Sequence, residues 1–511
     1  MKKRFGVNST TMVIILLAII NATIHLVFSY NLEYHRDELL YFSLGQHPAF
    51  GYATVPPMTG WVAWLMKSLF GYSIFAVRIF PAFLSILMVV LVSETARELG
   101  GSDFSRILAA VGFTVSIIGL RTYLMFQPVH IDLFFWTLLF YLLVKYINTE
   151  RGKYLVLFGI TAGLTLLNKY LVGVFFLSLL LVVPFTRYRY LFTDRKFWLS
   201  LLAALIVFSP NLIWQIANKL PVLNHFSELQ RTQLVNVDRG AFLFEQLMMP
   251  GAASFLTVAG LIFLYMNKNM KPYRFLGSVS IGVILILMLL QGKSYYTQGI
   301  FPFLMAAGAV SWEAIFKKAW LRTALVVLIV AMTWPVIPIG VPVYKTEGLV
   351  KYFDKLKRAY GMDFVCRFED NSVHSLPQDY ADMLGWEELT LITNKAWQMI
   401  PDKKAAFIYA ENYGQAGAIT VIGKKYQLPE AVCFSESFLY WLPREFNPDI
   451  KYVVYINDEP GQDIYQVFGK VTKIGAISNP DAREFGTGVY LCEDPVAGFN
   501  GFWKERLKQL F

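Results

Sequence analysis

Directly after an apolar run from Met12 to Phe28, the chain reads YHRDELLYFSLGQHPAFGYATVPPM, residues 34–58. This stretch sets His35, Arg36, Asp37 and Glu38 in a row, adds His47, and ends near the pair Pro56-Pro57. A carboxylate beside basic groups can take a proton from a hydroxyl while cations hold an anion. Asp37 and Glu38 are adjacent, so on a helix they diverge by about 100° and cannot both address one atom. One is expected to do chemistry and the other to brace the loop. Both are catalytic candidates, with Asp37 favoured; His35 and Arg36 are candidates for binding substrate.

Similar groups recur in short turns flanked by apolar sequence. RTYLMFQPVHIDLF carries Arg121, Gln127, His130 and Asp132; LNKYLVG carries Asn168, Lys169 and Tyr170. SPNLIWQIAN carries Asn211, Trp214 and Gln215, and QGKSYYTQG carries Lys293, Tyr295 and Tyr296. Each has an ordinary explanation. A lone Lys169 or Lys293 reads as a lysine snorkelling from a helix end, and Asp132 or Asp37 reads as a helix cap. His130 reads as an interfacial histidine, and the tyrosines as an aromatic belt. The combination is what points to function, because ionisable groups beside a bilayer are costly.

With Asp132 as a third catalytic candidate, His130, Lys169, Tyr170, Asn211, Lys293, Tyr295 and Tyr296 join the substrate-binding set. This inventory suits group transfer from an anionic, lipid-linked donor: a carboxylate base, cations on the departing phosphate, and aromatic faces against a sugar. A carboxylate also stabilises an oxocarbenium-like state. Asp37, Asp132, His35 and His130 can also collect a divalent cation, although their spacing is not diagnostic of a metal site.

The elements that must position these residues follow from composition. Of 511 residues, 56% are hydrophobic and only 16% charged, with mean hydropathy +0.46; soluble domains carry about 25% charged residues. Eleven apolar segments approach spanning length, centred near residues 20, 85, 114, 139, 161, 178, 205, 255, 283, 304 and 329. The first lacks a small-residue cleavage site and reads as a retained helix rather than a signal peptide.

Lys2, Lys3 and Arg4, with loop residues such as Arg97, Arg151, Arg187, Lys268 and Lys318, satisfy the positive-inside rule if the N-terminus is cytoplasmic. The net charge of +10 is then topological, and nucleic acid is not an expected partner. All the polar turns above fall on the outer face. So does everything after about residue 341.

Residues 1–340 are therefore expected to form a membrane domain with a long first outer loop, 30–72. Within it, RDELLYFSLGQH and TGWVAWLMKSLFG read as interfacial helices. Residues 345–511 have ordinary soluble composition and read as a small α/β domain. KAAFIYA, IKYVVYI and GVYLCED are its expected strands and QAGAITVIGKKY a helix. The ENYGQAG turn lacks the spacing of a phosphate loop. Cys366, Cys433 and Cys492 all fall here, as one disulfide plus a thiol or as buried thiols.

RDELLYF, GYATVPPMTGW, FQPVHIDLFFW, LNKYLVG, SPNLIWQ and GKSYYTQGIFPFLMAAG, continued by LPQDYADMLGWEEL and ENYGQAGAITVIGKKYQLPEAVCFSESFLYW, together resemble bacterial members of glycosyltransferase family 39. These are relatives of the protein O-mannosyltransferases and of the lipid A aminoarabinose transferase. The resemblance covers nearly the whole chain. It implies a GT-C fold in a multi-pass protein of the cytoplasmic membrane. It also implies inverting transfer of a sugar from a polyprenyl-phosphate-linked donor to a protein, glycolipid or glycan acceptor outside.

By the same resemblance Asp37 of the Asp37-Glu38 pair is the base, Asp132 the second acidic position, and Lys169, Lys293 and Tyr296 the donor-phosphate contacts. One departure stands out. Where the aminoarabinose-type branch has Glu-Lys-Pro, this chain has Thr54-Val55-Pro56-Pro57, so aminoarabinose specificity does not carry over. A transporter or lipid flippase is the main alternative, but such proteins bind near the midplane on broken helices, whereas the polar residues here crowd one face. A receptor or assembly scaffold would not need the charged loops. A lipid phosphatase or polysaccharide ligase would share the anionic lipid but use a different nucleophile.

Overall fold

The computed structural model describes residues 9–232 and 234–508; the basic Lys2, Lys3 and Arg4 lie outside them. The chain divides into two compact units. One comprises residues up to Ser29, Val55–Thr59 and Arg78–Val343, and the other Tyr30–Thr54, Gly60–Val77 and residues from Tyr344 onward.

The first unit is helical. Six stretches among the described residues are long and apolar enough to cross a bilayer: Ser9–Asn31, Ile74–Glu98, Pro128–Thr149, Arg195–Ala217, Lys268–Leu289 and Ala319–Gly340. Two bent pairs, Val172–Phe185 with Arg187–Thr193 and Arg239–Met248 with Gly251–Met266, raise the count to eight if each is one span. Eleven were expected. The segments near residues 114, 161 and 304 form helices of 13, 14 and 15 residues, Asp103–Val115, Lys153–Leu166 and Phe301–Ile315. At 1.5 Å per residue these are shorter than about 30 Å of hydrocarbon. The candidate spans and the packed short helices make this a multi-pass membrane protein.

Small residues set the close crossings, as is usual where helices associate in lipid. Gly159 meets the Ser200 carbonyl, joining Lys153–Leu166 to Arg195–Ala217. Gly308 meets the Leu256 carbonyl, joining Phe301–Ile315 to Ser254–Met266. The outward faces are apolar: Leu202, Ile206 and Ile213 are exposed on Arg195–Ala217.

The second unit is built on a four-stranded sheet: β1 (Ala406–Ala410), β2 (Tyr452–Asn457), β3 (Phe468–Ala476) and β4 (Gly488–Pro495), in spatial order β1-β2-β4-β3. β1 and β2 are parallel, and β4 runs antiparallel to both β2 and β3. β1, β2 and β4 occupy the three stretches read as strands. β3, in FGKVTKIGA, was not read. It is an edge strand in which only Phe468 is buried, so it lacks a strong apolar alternation.

Helices Trp386–Met399 and Tyr413–Val421 pack on the sheet. Phe407, Val453, Tyr455 and Cys492 form a core with Phe499 and Trp503 of helix Phe499–Lys508. The three cysteines are unpaired and buried. Burial pushes the Cys366 thiol up to about 11, and those of Cys433 and Cys492 to about 12.

Candidate functional site

The polar residues gather in two clusters, one in each unit. In the second unit, the expected loop helix is present as Arg36–Leu44. Its start is a capping box: the Glu38 carboxylate accepts the His35 N–H at 2.8 Å, and the Asp37 N–H donates to His35 Nδ1 at 3.0 Å. Glu38 is fully buried. Of the two adjacent carboxylates, Glu38 thus braces the helix, and Asp37 points elsewhere, as neighbouring helical positions must.

Asp37 accepts a hydrogen bond from the Tyr413 hydroxyl, 3.0 Å from Oδ1. Tyr413 opens helix Tyr413–Val421 in the ENYGQAG turn. The glycines of that turn allow close approach. A Cβ at Gly417 would lie 2.8 Å from the Leu39 carbonyl carbon, and one at Gly414 would lie 2.7 Å from Arg36 Cγ. The Arg36 guanidinium stacks 4.4 Å from the Tyr413 ring centroid.

Burial alone would lower the Arg36 pKa, but Tyr413, Glu484, Asp382 and Asp37 together hold it above the ordinary value. Burial, reinforced by the Asp37 charge, pushes the Tyr413 hydroxyl up, so it is a hydrogen-bond donor across the physiological range. Behind them, the Asp382 carbonyl accepts the Arg36 N–H at 3.0 Å and its carboxylate pairs with Arg483 at 3.0 Å. Asn412 caps helix Tyr413–Val421 through the N–H groups of Gly414 and Gln415, and Gln415 ties to Glu484 at 2.9 Å. At the departure from the aminoarabinose-type pattern, the Thr54 hydroxyl donates to Glu436, and the Ala53 N–H donates to Ser437 Oγ at 3.1 Å.

In the first unit, Lys169 sits in the turn between helices Lys153–Leu166 and Val172–Val182. Its ammonium lies 5.5 Å from the Tyr295 ring centroid and 5.1 Å from that of Tyr296, to one side of two rings set edge to face at 4.8 Å. Burial lowers the Lys169 pKa, Asp132 works against that, and Lys293 adds to it. Asp132 and Lys293 are thus both within electrostatic reach of Lys169.

Asp132 does not cap its helix. Gln127 holds the N-cap, Pro128 starts the helix, and Asp132 Oδ1 accepts from Trp136 Nε1 at 3.1 Å. Asn168 Nδ2 fixes the turn by donating to the Pro128 carbonyl at 2.8 Å. Tyr170 donates to Asn211 Oδ1 at 2.6 Å and accepts from Gln215 at 2.9 Å, joining two of the sequence motifs.

His130 stands apart. It is fully buried between Phe80 and Phe126, its Nδ1 accepting the Gln127 N–H at 3.3 Å. Among the described residues, no group of three or more His, Cys, Asp or Glu side chains is arranged to hold a metal ion. Sequence reading missed Tyr413, Asp382 and Arg483. The glycines beside Tyr413 were the available signal, since two glycines three apart permit close packing as readily as phosphate binding.

Residues 54–214 match the family of dolichyl-phosphate-mannose-protein mannosyltransferases. The structure is similar to that of ArnT from Cupriavidus metallidurans bound to undecaprenyl phosphate, with TM-score 0.61 and 13% identity over 95% of this chain and 98% of that one. It is also similar to the apo state of the same protein, with TM-score 0.60 and 14% identity over the same shares. No curated protein sequence matches. The chain has an ArnT-like GT-C fold, and the family and fold neighbours are glycosyltransferases.

Proposed function

We propose that this protein is an inverting glycosyltransferase. It moves a sugar from a polyprenyl-phosphate-linked donor to a hydroxyl of a protein, glycolipid or glycan on the outer side of the cytoplasmic membrane. Residues 1–340 are the membrane catalytic part and residues 345–511 an extracytoplasmic domain. The observation that carries the reading is the division of labour at Asp37-Glu38: one carboxylate is buried in a helix cap, while the other is only partly buried and held by a tyrosine.

In this reading Asp37 accepts the proton of the acceptor hydroxyl. The acceptor oxygen attacks the anomeric carbon as the bond from that carbon to the phosphate oxygen breaks. The configuration inverts, and polyprenyl phosphate leaves with the electron pair. Lys169 and Lys293 balance the charge that grows on the phosphate, with the Tyr295 and Tyr296 rings beside the Lys169 ammonium. Asp132 opposes the effect of burial on the Lys169 charge. The recorded undecaprenyl phosphate of ArnT supports a donor of this type.

The test is reconstitution of the purified protein with a polyprenyl-phosphate-linked sugar chosen by mass spectrometry of its co-purifying lipids. Acceptor-dependent release of polyprenyl phosphate is expected. Transbilayer movement of the lipid without bond cleavage would instead establish a flippase.

A further inference from the structure

The second unit contains a cavity of about 290 Å³ that does not include Asp37, Arg36 or Tyr413. Alternate residues of the two parallel strands line it: Phe407 and Tyr409 of β1, then Glu411, and Val453, Tyr455 and Asn457 of β2, then Glu459. The volume sits at the lower limit of ligand pockets, roughly 300 Å³, so it admits a compact molecule and no lipid chain.

The walls are aromatic. Tyr409 and Tyr455 stack 5.6 Å apart with planes 2° from parallel, and Phe434 stacks on Trp503 at 5.4 Å. The Trp503 Nε1 donates to the Pro443 carbonyl at 2.7 Å, which fixes the indole by its polar edge. Asn457 donates to the Tyr455 hydroxyl at 3.0 Å, and that hydroxyl lies 3.4 Å from the Glu411 carboxylate. The mouth is acidic: Glu411, Glu459 and Asp463 stand against a single cation, Arg506, whose guanidinium lies 5.7 Å from the Phe434 ring centroid.

Aromatic faces carry negative potential and attract cations, most strongly when desolvated. A surplus of carboxylates at the entrance adds to that field and repels anions. A neutral polyol would meet the rings without gaining from either field. We infer that this cavity binds a compact organic cation: an ammonium group on a small carbon body, free of phosphate. The inference is independent of the proposed transferase chemistry.

The experiment uses the full-length protein in detergent and saturation-transfer NMR with two matched pairs of probes, glucosamine against glucose and choline against phosphocholine. Glucosamine and choline are expected to bind at least about tenfold more tightly than their partners, the scale of a desolvated cation–π contact with charge support. The double variant Glu411→Gln/Asp463→Asn changes two exposed side chains and leaves the fold intact. It is expected to weaken both cations by about tenfold or more. Equal binding of glucose and glucosamine overturns the inference, as does equal binding of choline and phosphocholine. Undiminished binding in the double variant, or no binding of either cation, overturns it as well.

Discussion

The Tyr413 hydroxyl donates to the Asp37 carboxylate at 3.0 Å across 376 positions of sequence. This bond links the long loop after the first helix to a turn in the C-terminal portion. The Asp37 side chain therefore has a fixed orientation instead of the freedom of an exposed loop residue. If that orientation serves proton transfer, Tyr413→Phe keeps the ring that stacks on Arg36 and loses only the hydroxyl. The turnover rate is then expected to fall about tenfold, in line with a hydrogen bond to a charged group. The donor KM should stay level, and the thermal midpoint should change little. An unchanged rate would make Tyr413 merely structural.

Lys169 and Lys293 are expected to act on the donor. Lys169→Ala and Lys293→Ala should each raise the KM for the polyprenyl-linked sugar by about 10–100-fold, the range for a lost charged hydrogen bond. Short-chain donors that carry the same phosphate should show the same loss. Donor KM unchanged in both variants removes them from the phosphate.

His47 Nε2 and Glu430 Oε2 lie 2.8 Å apart, and their side chains are 35% and 37% exposed. The hydrogen bond to His47 holds the Glu430 carboxyl below its ordinary value, against the effect of burial. A depressed carboxyl pKa stabilises the fold at pH values above its unfolded value, and that contribution is lost as pH falls through the folded one. Because the pair is partly exposed, the contribution is about 1 kcal/mol or less. The stability gap between wild type and Glu430→Gln should therefore be present at pH 7 and shrink as pH falls below the ordinary carboxylate range. A gap that stays constant over this interval contradicts the assignment.

Cys366, Cys433 and Cys492 are buried thiols whose ionisation is pushed to about 11, about 12 and about 12. The thiolate is the reactive form. At pH 8 a maleimide reagent should leave the native protein unlabelled and modify all three cysteines after denaturation without reductant. Labelling of only one cysteine after denaturation would show that the other two form a disulfide.

Much of this was legible in the sequence, for reasons tied to local geometry. Adjacent carboxylates on a helix cannot share a target, so the separation of Asp37 from Glu38 follows from their being neighbours. The strands at 406–410 and 452–457 are dense in β-branched and aromatic residues, and 488–495 carries the apolar run Val489 to Cys492. Strand β3 was not legible because only the first of its nine residues is buried, which leaves no alternation of buried and exposed positions. Hydropathy could not separate full-length spans from short apolar helices such as Phe301–Ile315, since burial against protein and exposure to lipid favour the same residues. The Tyr413–Asp37 bond depends on the packing of Arg36–Leu44 against Tyr413–Val421. No local pattern encodes that contact.

The most direct test of the central claim is single-turnover sugar transfer by Asp37→Asn, measured beside undecaprenyl phosphate binding by the same preparation. Asn keeps the size of the side chain but cannot take a proton. Transfer is expected to drop by about 10²–10⁴-fold, the scale of general-base catalysis, with lipid-phosphate affinity unchanged. Wild-type transfer by Asp37→Asn would contradict the account.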